Sequence, residues 1–224
     1  MQDLTLIIPT KKEAESLPTF LKEIESYNCK KLIVLEKEDI ETKKTLEKFN
    51  NIKILEQKNN GYGNALIEGI NNVQTDFCCI INADGSMDPK YLEEMRKLCV
   101  NKDLVFASRY QKPGGGSDDD DFVTIIGNAV FTFLGNFLFK LKISDILYTY
   151  ILGKTSSFQK LDLKNYDFRI CVEIPIKAKI QNMEYFCIAS YERERIGGKK
   201  KVNAIKDGLL ILSEIVKYFY KSKK

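Results

Sequence analysis

Apolar and polar positions follow two different periods along the first half of the chain. Short apolar runs at residues 4–8, 32–35, 52–55, 77–81 and 104–107 read as buried strands. The segments between them, 13–27, 39–49 and 61–73, carry helical spacing. In the first of these, Leu17, Phe20, Leu21 and Ile24 recur three and four residues apart on one face. A further helix opens at Asp88-Pro89, with Asp at the N-cap and Pro in the first turn. Strand–helix alternation at this spacing predicts an α/β fold. Right-handed crossovers build a mostly parallel Rossmann-like sheet with helices on both faces. Ligands of such sheets bind beyond the carboxyl ends of the strands.

The second half has a different texture. Residues 111–121 are glycine-rich, then acidic, and read as either a connector or a lid loop beside a site. Residues 122–141 are the most apolar stretch and long enough to span a bilayer. Yet Thr124, Gly127, Asn128, Thr132, Gly135, Asn136 and Lys140 form a small and polar stripe opposite a phenylalanine-rich face. That pattern favours an amphipathic helix packed in a core or docked on a membrane surface over a spanning one. A helix over 166–180 and a strand over 183–190 follow. A last helix over 203–220 carries Ile205, Leu209, Leu212, Val216 and Phe219 on one side and ends in Lys221, Lys223 and Lys224. Those lysines suit the helix dipole, and would also suit an anionic membrane. The expected organisation is one domain of two halves, 1–110 and 111–224, the second holding the amphipathic C-terminal helical region.

Composition narrows the chemistry. Hydrophobic residues make up 44% of the 224 positions and charged residues 29%, which fits a folded domain and excludes wholesale disorder. The net charge of 35 − 31 = +4 is too small to argue for nucleic acid. The chain has no His, which removes His-based triads, imidazole metal sites and imidazole acid/base catalysis. Its six cysteines contain no C-x-x-C pair, so reduced thiols in a cytoplasmic protein are expected rather than disulfides or zinc. Lys11 and Lys12 follow the first short apolar run, and no secretory leader fits there.

The chemistry concentrates where strands end. In Ile80-Ile81-Asn82-Ala83-Asp84-Gly85-Ser86, Asn82 and Asp84 stand two apart and point the same way on an extended chain. Two oxygen ligands there could hold Mg²⁺ or Mn²⁺, with a diphosphate supplying others. By itself the segment reads equally as turn and cap chemistry. Three further elements accompany it: Pro9-Thr10 with Glu13 after the first strand, Gly61-x-Gly63 at a helix start, and Arg109 after the fifth strand. Late in the chain come Arg193, Arg195 and the run Gly197-Gly198-Lys199-Lys200-Lys201. Together they describe a nucleotide-diphosphate pocket.

At these residues the sequence resembles the family 2 glycosyltransferases, and most closely their dolichyl-phosphate mannose synthase-like branch. Ile8-Pro9-Thr10 with Glu13 is similar to the family's P-T-x-N-E strand end, and Gly61-Tyr62-Gly63-Asn64-Ala65 to its G-x-G-x-A helix start. Asn82-Ala83-Asp84-Gly85 resembles its D-x-D metal motif. Ser108-Arg109-Tyr110 with Gly114-Gly115 resembles its S-R-Y…G-G element, and Arg195 to Lys201 its R-x-x-G-x-S-K tail. The resemblance implies a GT-A fold, a nucleotide-diphosphate sugar donor, Mg²⁺ or Mn²⁺, and a lipid-phosphate or glycan acceptor. It makes 1–110 the nucleotide-sugar half and 111–224 the acceptor side. Pro9, Thr10, Glu13, Glu36, Gly61 and Gly63 would line the nucleotide pocket, with Asn82 and Asp84 facing the metal. Arg109, Arg195 and Lys201 would neutralise phosphate charge. A cytoplasmic location at the inner face of the membrane follows, with peripheral membrane contact and a membrane subunit or a second copy as partner.

The sequence departs from the family pattern at several positions. The first Asp of the metal motif is Asn82, which keeps an oxygen and removes a charge. Lys12 replaces the Asn of P-T-x-N-E, and Leu35-Glu36-Lys37-Glu38 replaces the usual D-D-G-S. The family's arginine after the G-G loop is missing, since no Arg occurs between Arg109 and Arg169. Of the acceptor element D-P-x-S-G only Asp145 survives, and it is the first candidate for a base if the acceptor is a hydroxyl; a helix N-cap is its equal alternative. These departures keep open a degenerate nucleotide-sugar-binding protein. A sugar-phosphate nucleotidyltransferase fits less well, because Pro9-Thr10-Lys11-Lys12 lacks that class's glycines.

Overall fold

Strand–helix alternation in the first half produces β1 (Leu4–Thr10), α1 (Leu17–Glu23), β2 (Lys30–Leu35), α2 (Ile40–Leu46), β3 (Lys53–Glu56), α3 (Tyr62–Asn71), β4 (Phe77–Ile80), α4 (Leu92–Leu98) and β5 (Leu104–Ser108). The second half adds β6 (Gly116–Ser117), α5 (Phe122–Phe139), β7 (Ile151–Lys154), α6 (Thr155–Lys160), α7 (Ile170–Ile180), β8 (Tyr185–Ala189), β9 (Tyr191–Glu192) and α8 (Ala204–Ser222). The structure is a computed structural model and describes residues 1–198 and 201–222; Lys199 and Lys200 of the late basic run, and Lys223 and Lys224 of the tail, lie outside the described residues.

Seven strands form one sheet in the order β3-β2-β1-β4-β7-β5-β8, and β6 pairs with β9 in a small second sheet. Six strands of the large sheet run parallel. β7 is antiparallel to both its neighbours, β4 and β5. The sheet is therefore mostly parallel, as the pattern predicts, and its parallel strands deliver their carboxyl ends to one edge. β1 runs on through Pro9, which the apolar run alone does not include. The Ile7 carbonyl accepts from Ile81 N on the β4 side, so Pro9, two residues on, faces that same side, where β4 has already ended. Its missing N–H costs the ladder nothing.

Side chains alternate between two cores. Leu4, Leu6 and Ile8 pack with α1 and α4 on one face, through Phe20, Leu92 and Met95. Ile7, Leu32 and Val34 pack with α3, α6 and α7 on the other, through Leu66, Phe158 and Ile174. Neighbouring Cys78 and Cys79 fall on opposite faces, and the cysteines are free. Burial pushes the Cys78 thiol up to about 12.

A third core joins α5, α7 and α8 through Phe139, Val172, Ile176, Ile211 and Ile215. Among the described residues only α5 is long and apolar enough to cross a bilayer. Its polar stripe, however, is bonded to the domain. Asn128 donates to Asp145 at 2.9 Å, Thr132 accepts from Ile146 N at 3.1 Å, and Asn136 holds Ile143 through both its N–H and its carbonyl. The helix lies along the body of the protein with its phenylalanine face outward.

Candidate active site

The turn after β4 is built around Asp84. Gly85 has φ +76°, a left-handed conformation that a side chain would strain, and a Cβ there would press into Ile196. The turn lets Asp84 Oδ1 accept from both Ser86 N (3.1 Å) and Ser86 Oγ (2.8 Å). This fixes one carboxylate oxygen and leaves Oδ2 toward Arg195, whose Nη1 is 3.7 Å away. Arg195 meanwhile donates to Asp119 at 3.0 and 2.5 Å. A late segment drapes over the turn: Arg193 N donates to Ser86 O (2.9 Å), Ile196 N to Asp84 O (2.8 Å), and the Arg193 guanidinium to Gly85 O.

The same segment reaches the end of β1. Lys201 pairs with Glu13, and Gly198 is where a Cβ would come within 3.0 Å of Glu13 Oε2. Glu13 also accepts from Ser16 Oγ at 2.7 Å, winding the turn that delays α1 to Leu17. Glu36, at the end of β2, pairs with Lys11 at 2.8 Å. Thr10 is buried and donates its hydroxyl back to Ile8 O at 3.0 Å, and Pro9 is buried beside it. The structure thus gathers Asp84, Arg195, Glu13, Lys201 and Glu36 along one edge of the sheet, with cations and carboxylates interleaved. Residues 111–121 contribute Asp119 and are tied down where Gly116 and Ser117 pair with Tyr191 and Glu192.

Three expectations are corrected. Gly61 and Gly63, expected to line the nucleotide pocket, face backbone instead. A Cβ at Gly61 would overlap the Tyr166 carbonyl oxygen, one at Gly63 would come within 2.8 Å of Asp167 O, and Asn64 N donates to Tyr166 O at 3.1 Å. The glycines admit the 165–167 backbone, which closes the start of α3. Arg109 does not face a phosphate. Its Nε and Nη2 grip Asp145 at 2.8 and 3.0 Å, and its Nη1 bonds Asp120 (2.9 Å) and Glu192 (3.2 Å). Burial opposes its charge, but the surrounding carboxylates outweigh that and hold it protonated. Asp145, finally, is no base. Its side chain is 0% exposed, and its oxygens accept from Arg109 N, Nε and Nη2 and from Asn128 Nδ2.

Glu192, Asp119, Asp120 and Tyr62 were not singled out by the sequence. Burial raises the Glu192 carboxyl above its usual range, and Arg109 only partly offsets this. Tyr62 hydroxyl donates to Asn82 Oδ1 at 3.3 Å and shares a 2.5 Å hydrogen bond with Thr149. The one available signal was the Asp118–Asp121 run, whose acids have to find cations once folded.

The donor set fits a divalent cation on one condition. Asp84 Oδ2 and the Asn82 carbonyl offer two oxygens, and among the described residues no three of His, Cys, Asp and Glu form a metal cluster. A cation here would take its remaining ligands from a diphosphate and water, the usual habit of Mg²⁺.

Residues 5–162 match the family model described as Glycosyl transferase family 2. Uncharacterized glycosyltransferases of Mycobacterium tuberculosis and Mycobacterium bovis are each 26% identical over 215 residues, 93% of either chain. Glucosyl-3-phosphoglycerate synthase from Mycobacterium tuberculosis, in complex with Mn²⁺, UDP-glucose and phosphoglyceric acid, superposes with a TM-score of 0.73 at 9% identity, covering 97% of this chain and 79% of that one. The same enzyme with Mg²⁺ and UDP gives 0.71 at 8% identity, over 97% and 79%. At such identities the likeness is one of fold.

Proposed function

The chain belongs to glycosyl transferase family 2, and from that premise we propose that it moves a sugar from a nucleotide diphosphate to an acceptor whose nucleophile is a phosphate oxygen. The observation that carries this is the Asp84 carboxylate, held by Ser86 and turned toward Arg195 at the carboxyl edge of the sheet. UDP-glucose, bound by the structural neighbour, is the first donor to try.

When bound, Mg²⁺ or Mn²⁺ supplies Lewis-acid stabilisation to the departing diphosphate. Asp84, oriented by two hydrogen bonds from Ser86, and Asn82 would hold it. Arg195 gives up part of its contact with Asp119 to bond the diphosphate oxygens as negative charge grows on them. Lys201 adds a second cation from the same draped segment. Glu13 and Glu36, at the ends of β1 and β2, take the nucleoside.

The side chains around Asp84 favour an acceptor that needs no base. The chain has no His, and Asp145 is sealed by Arg109 and Asn128. An ionised phosphate needs no base to attack, whereas a hydroxyl does. This agrees with the polyprenyl-phosphate acceptors of the dolichyl-phosphate mannose synthase-like branch, with the protein working at the cytoplasmic face of a membrane. Phosphoglycerate, the acceptor named for the neighbour, is the contrasting case. The test is a panel of nucleotide sugars with Mn²⁺ or Mg²⁺, offered polyprenyl phosphate or 3-phosphoglycerate, with product identified by mass. Glycosylated lipid phosphate is the expected product. Transfer to 3-phosphoglycerate alone overturns the acceptor assignment, and no metal-dependent turnover of any donor overturns the reaction.

A further inference from the structure

We propose that the outward faces of α5 and α8 together form a docking surface for an anionic phospholipid bilayer. The two helices lie side by side and run in the same direction: Gly208 lies against the Phe131 ring, and farther along Phe139 meets Phe219 edge-on with centroids 6.4 Å apart. Each presents an apolar row on the side opposite its buried stripe. Phe122, Phe133 and Phe137 on α5, and Ile205, Leu209 and Tyr220 on α8, are between 65% and 79% exposed. With 18 residues, α5 makes the platform about 27 Å long. An apolar surface of this extent marks an interaction site rather than ordinary surface scatter.

The rows are not free to turn inward. On α5, Asn128 and Thr132 are committed to Asp145 and Ile146 N. On α8, Glu214 accepts from Asn165 at 3.2 Å, and Tyr218 donates to the fully buried Glu173 at 3.0 Å. Rotating either helix to hide its apolar row would break these buried hydrogen bonds and strand the polar groups of Asn128, Thr132 and Tyr218, a penalty that opposes the rotation.

Charge selects the occupant. α5 contains no charged residue. Of the acids on α8, Glu214 is buried and Asp207 bonds Asn203 N at 2.7 Å. Because the helices are parallel, Lys140 and Lys142 after α5 fall at the same end as Lys221 of α8, and all three are exposed, while Lys217 is spent on Glu214 at 2.8 Å. Apolar rows at the acyl boundary with lysines reaching lipid phosphates is the arrangement of an interfacial helix pair. A second copy stacked antiparallel would instead bring these lysines to its Asp118–Asp121. Those acids are already bonded within their own chain: Asp118 to Tyr191, Asp119 to Arg195, Asp120 to Arg109, and Asp121 to Thr124 N.

The platform is also tied to the buried polar network beneath it: Asn128 holds Asp145 and through it Arg109, while Glu214 and Tyr218 hold the 164–167 loop that closes the start of α3. The docking itself rests on helix placement, not on the transfer reading, so vesicle binding and turnover can fail separately.

The test is cosedimentation of the full chain with phosphatidylcholine vesicles containing or lacking phosphatidylglycerol, across a salt series. Binding should favour the anionic vesicles and fall with salt. Phe133→Glu/Leu209→Glu should abolish it while circular dichroism stays native. Lys140→Gln/Lys221→Gln should weaken anionic binding by about 25-fold, roughly fivefold per lysine, and leave the neutral-vesicle signal unchanged. Absence of vesicle binding, undiminished binding by the Glu double variant, or a concentration-dependent dimer that the same variant dissolves in place of lipid binding would each overturn the proposal.

Discussion

Arg195 faces Asp84 across 3.7 Å while its Nε and Nη2 grip Asp119 at 3.0 and 2.5 Å. One guanidinium is thus shared between a carboxylate of the β4 turn and a carboxylate of the 111–121 segment. Such a group is preorganised for an incoming anion, which can displace one partner without the side chain having to travel.

Replacing Arg195 by Ala should lower turnover roughly 100-fold, the usual loss for one charge-stabilising donor. Arg195→Lys should recover only part, because an ammonium cannot bridge two anions in a fixed fork. Steady-state kinetics separate the alternatives. The loss should fall in kcat, and a change confined to KM would mean that Arg195 only helps binding.

Arg109 is expected to behave differently. It sits among Asp145, Asp120 and Glu192, so Arg109→Ala strands buried carboxylates and should cost about 3–5 kcal/mol of stability. Urea denaturation measures this. A loss below about 1 kcal/mol together with a large catalytic defect would restore Arg109 to the phosphate site.

Gly63→Ala discriminates between two uses of the G-x-G motif. If the glycine admits the 165–167 backbone, the added methyl meets carbonyl oxygens and should destabilise the fold by roughly 2 kcal/mol or more, with or without nucleotide. Thermal melts with and without UDP report it. Unchanged stability with lost nucleotide binding would return the motif to the ligand.

These cases show how much the sequence displays. The alternation of residues 4–107 revealed the parallel sheet and the edge where chemistry gathers, because strand and helix periods are local properties. Residues 151–154 carry no such local signal: four apolar-biased residues, interrupted by Gly153, read equally as loop, and only pairing with β4 and β5 makes them a strand. Asp84 and Arg195 were legible from their motifs, 111 residues apart. That Arg109 would spend itself on Asp145 was not, since both a phosphate-facing and a carboxylate-facing arginine carry the same three letters, and the choice depends on contacts 36 residues away. The apolar outward face of α5 was half legible: its stripe of Asn128, Thr132 and Gly135 identified two faces, but only folding decided that the polar one goes inside.

Glu173 gives a pH signature. Burial would raise its carboxyl, but hydrogen bonds from Lys177, Asn165 N and Lys164 N together outweigh burial and hold it below its ordinary value of 4.5. A carboxyl depressed in the folded state contributes stability that is full above the unfolded value and lost as pH falls through the folded one. Glu173→Gln should therefore be less stable than the native chain at pH 7, and the gap should narrow as pH drops below about 4.5. Denaturation midpoints at several pH values check this, and a gap constant down to pH 3 would show that the charge is not what Glu173 supplies.

The most direct measurement is metal-dependent release of UDP from UDP-glucose by the native protein and by Asp84→Ala, with EDTA and then Mn²⁺ added back. The native protein should lose activity in EDTA and regain it with Mn²⁺, and Asp84→Ala, folded by circular dichroism, should stay at least roughly 100-fold below the native protein with Mn²⁺ added back. Full, Mn²⁺-restorable activity in Asp84→Ala would mean that the carboxylate beside Arg195 is not where the departing diphosphate is held.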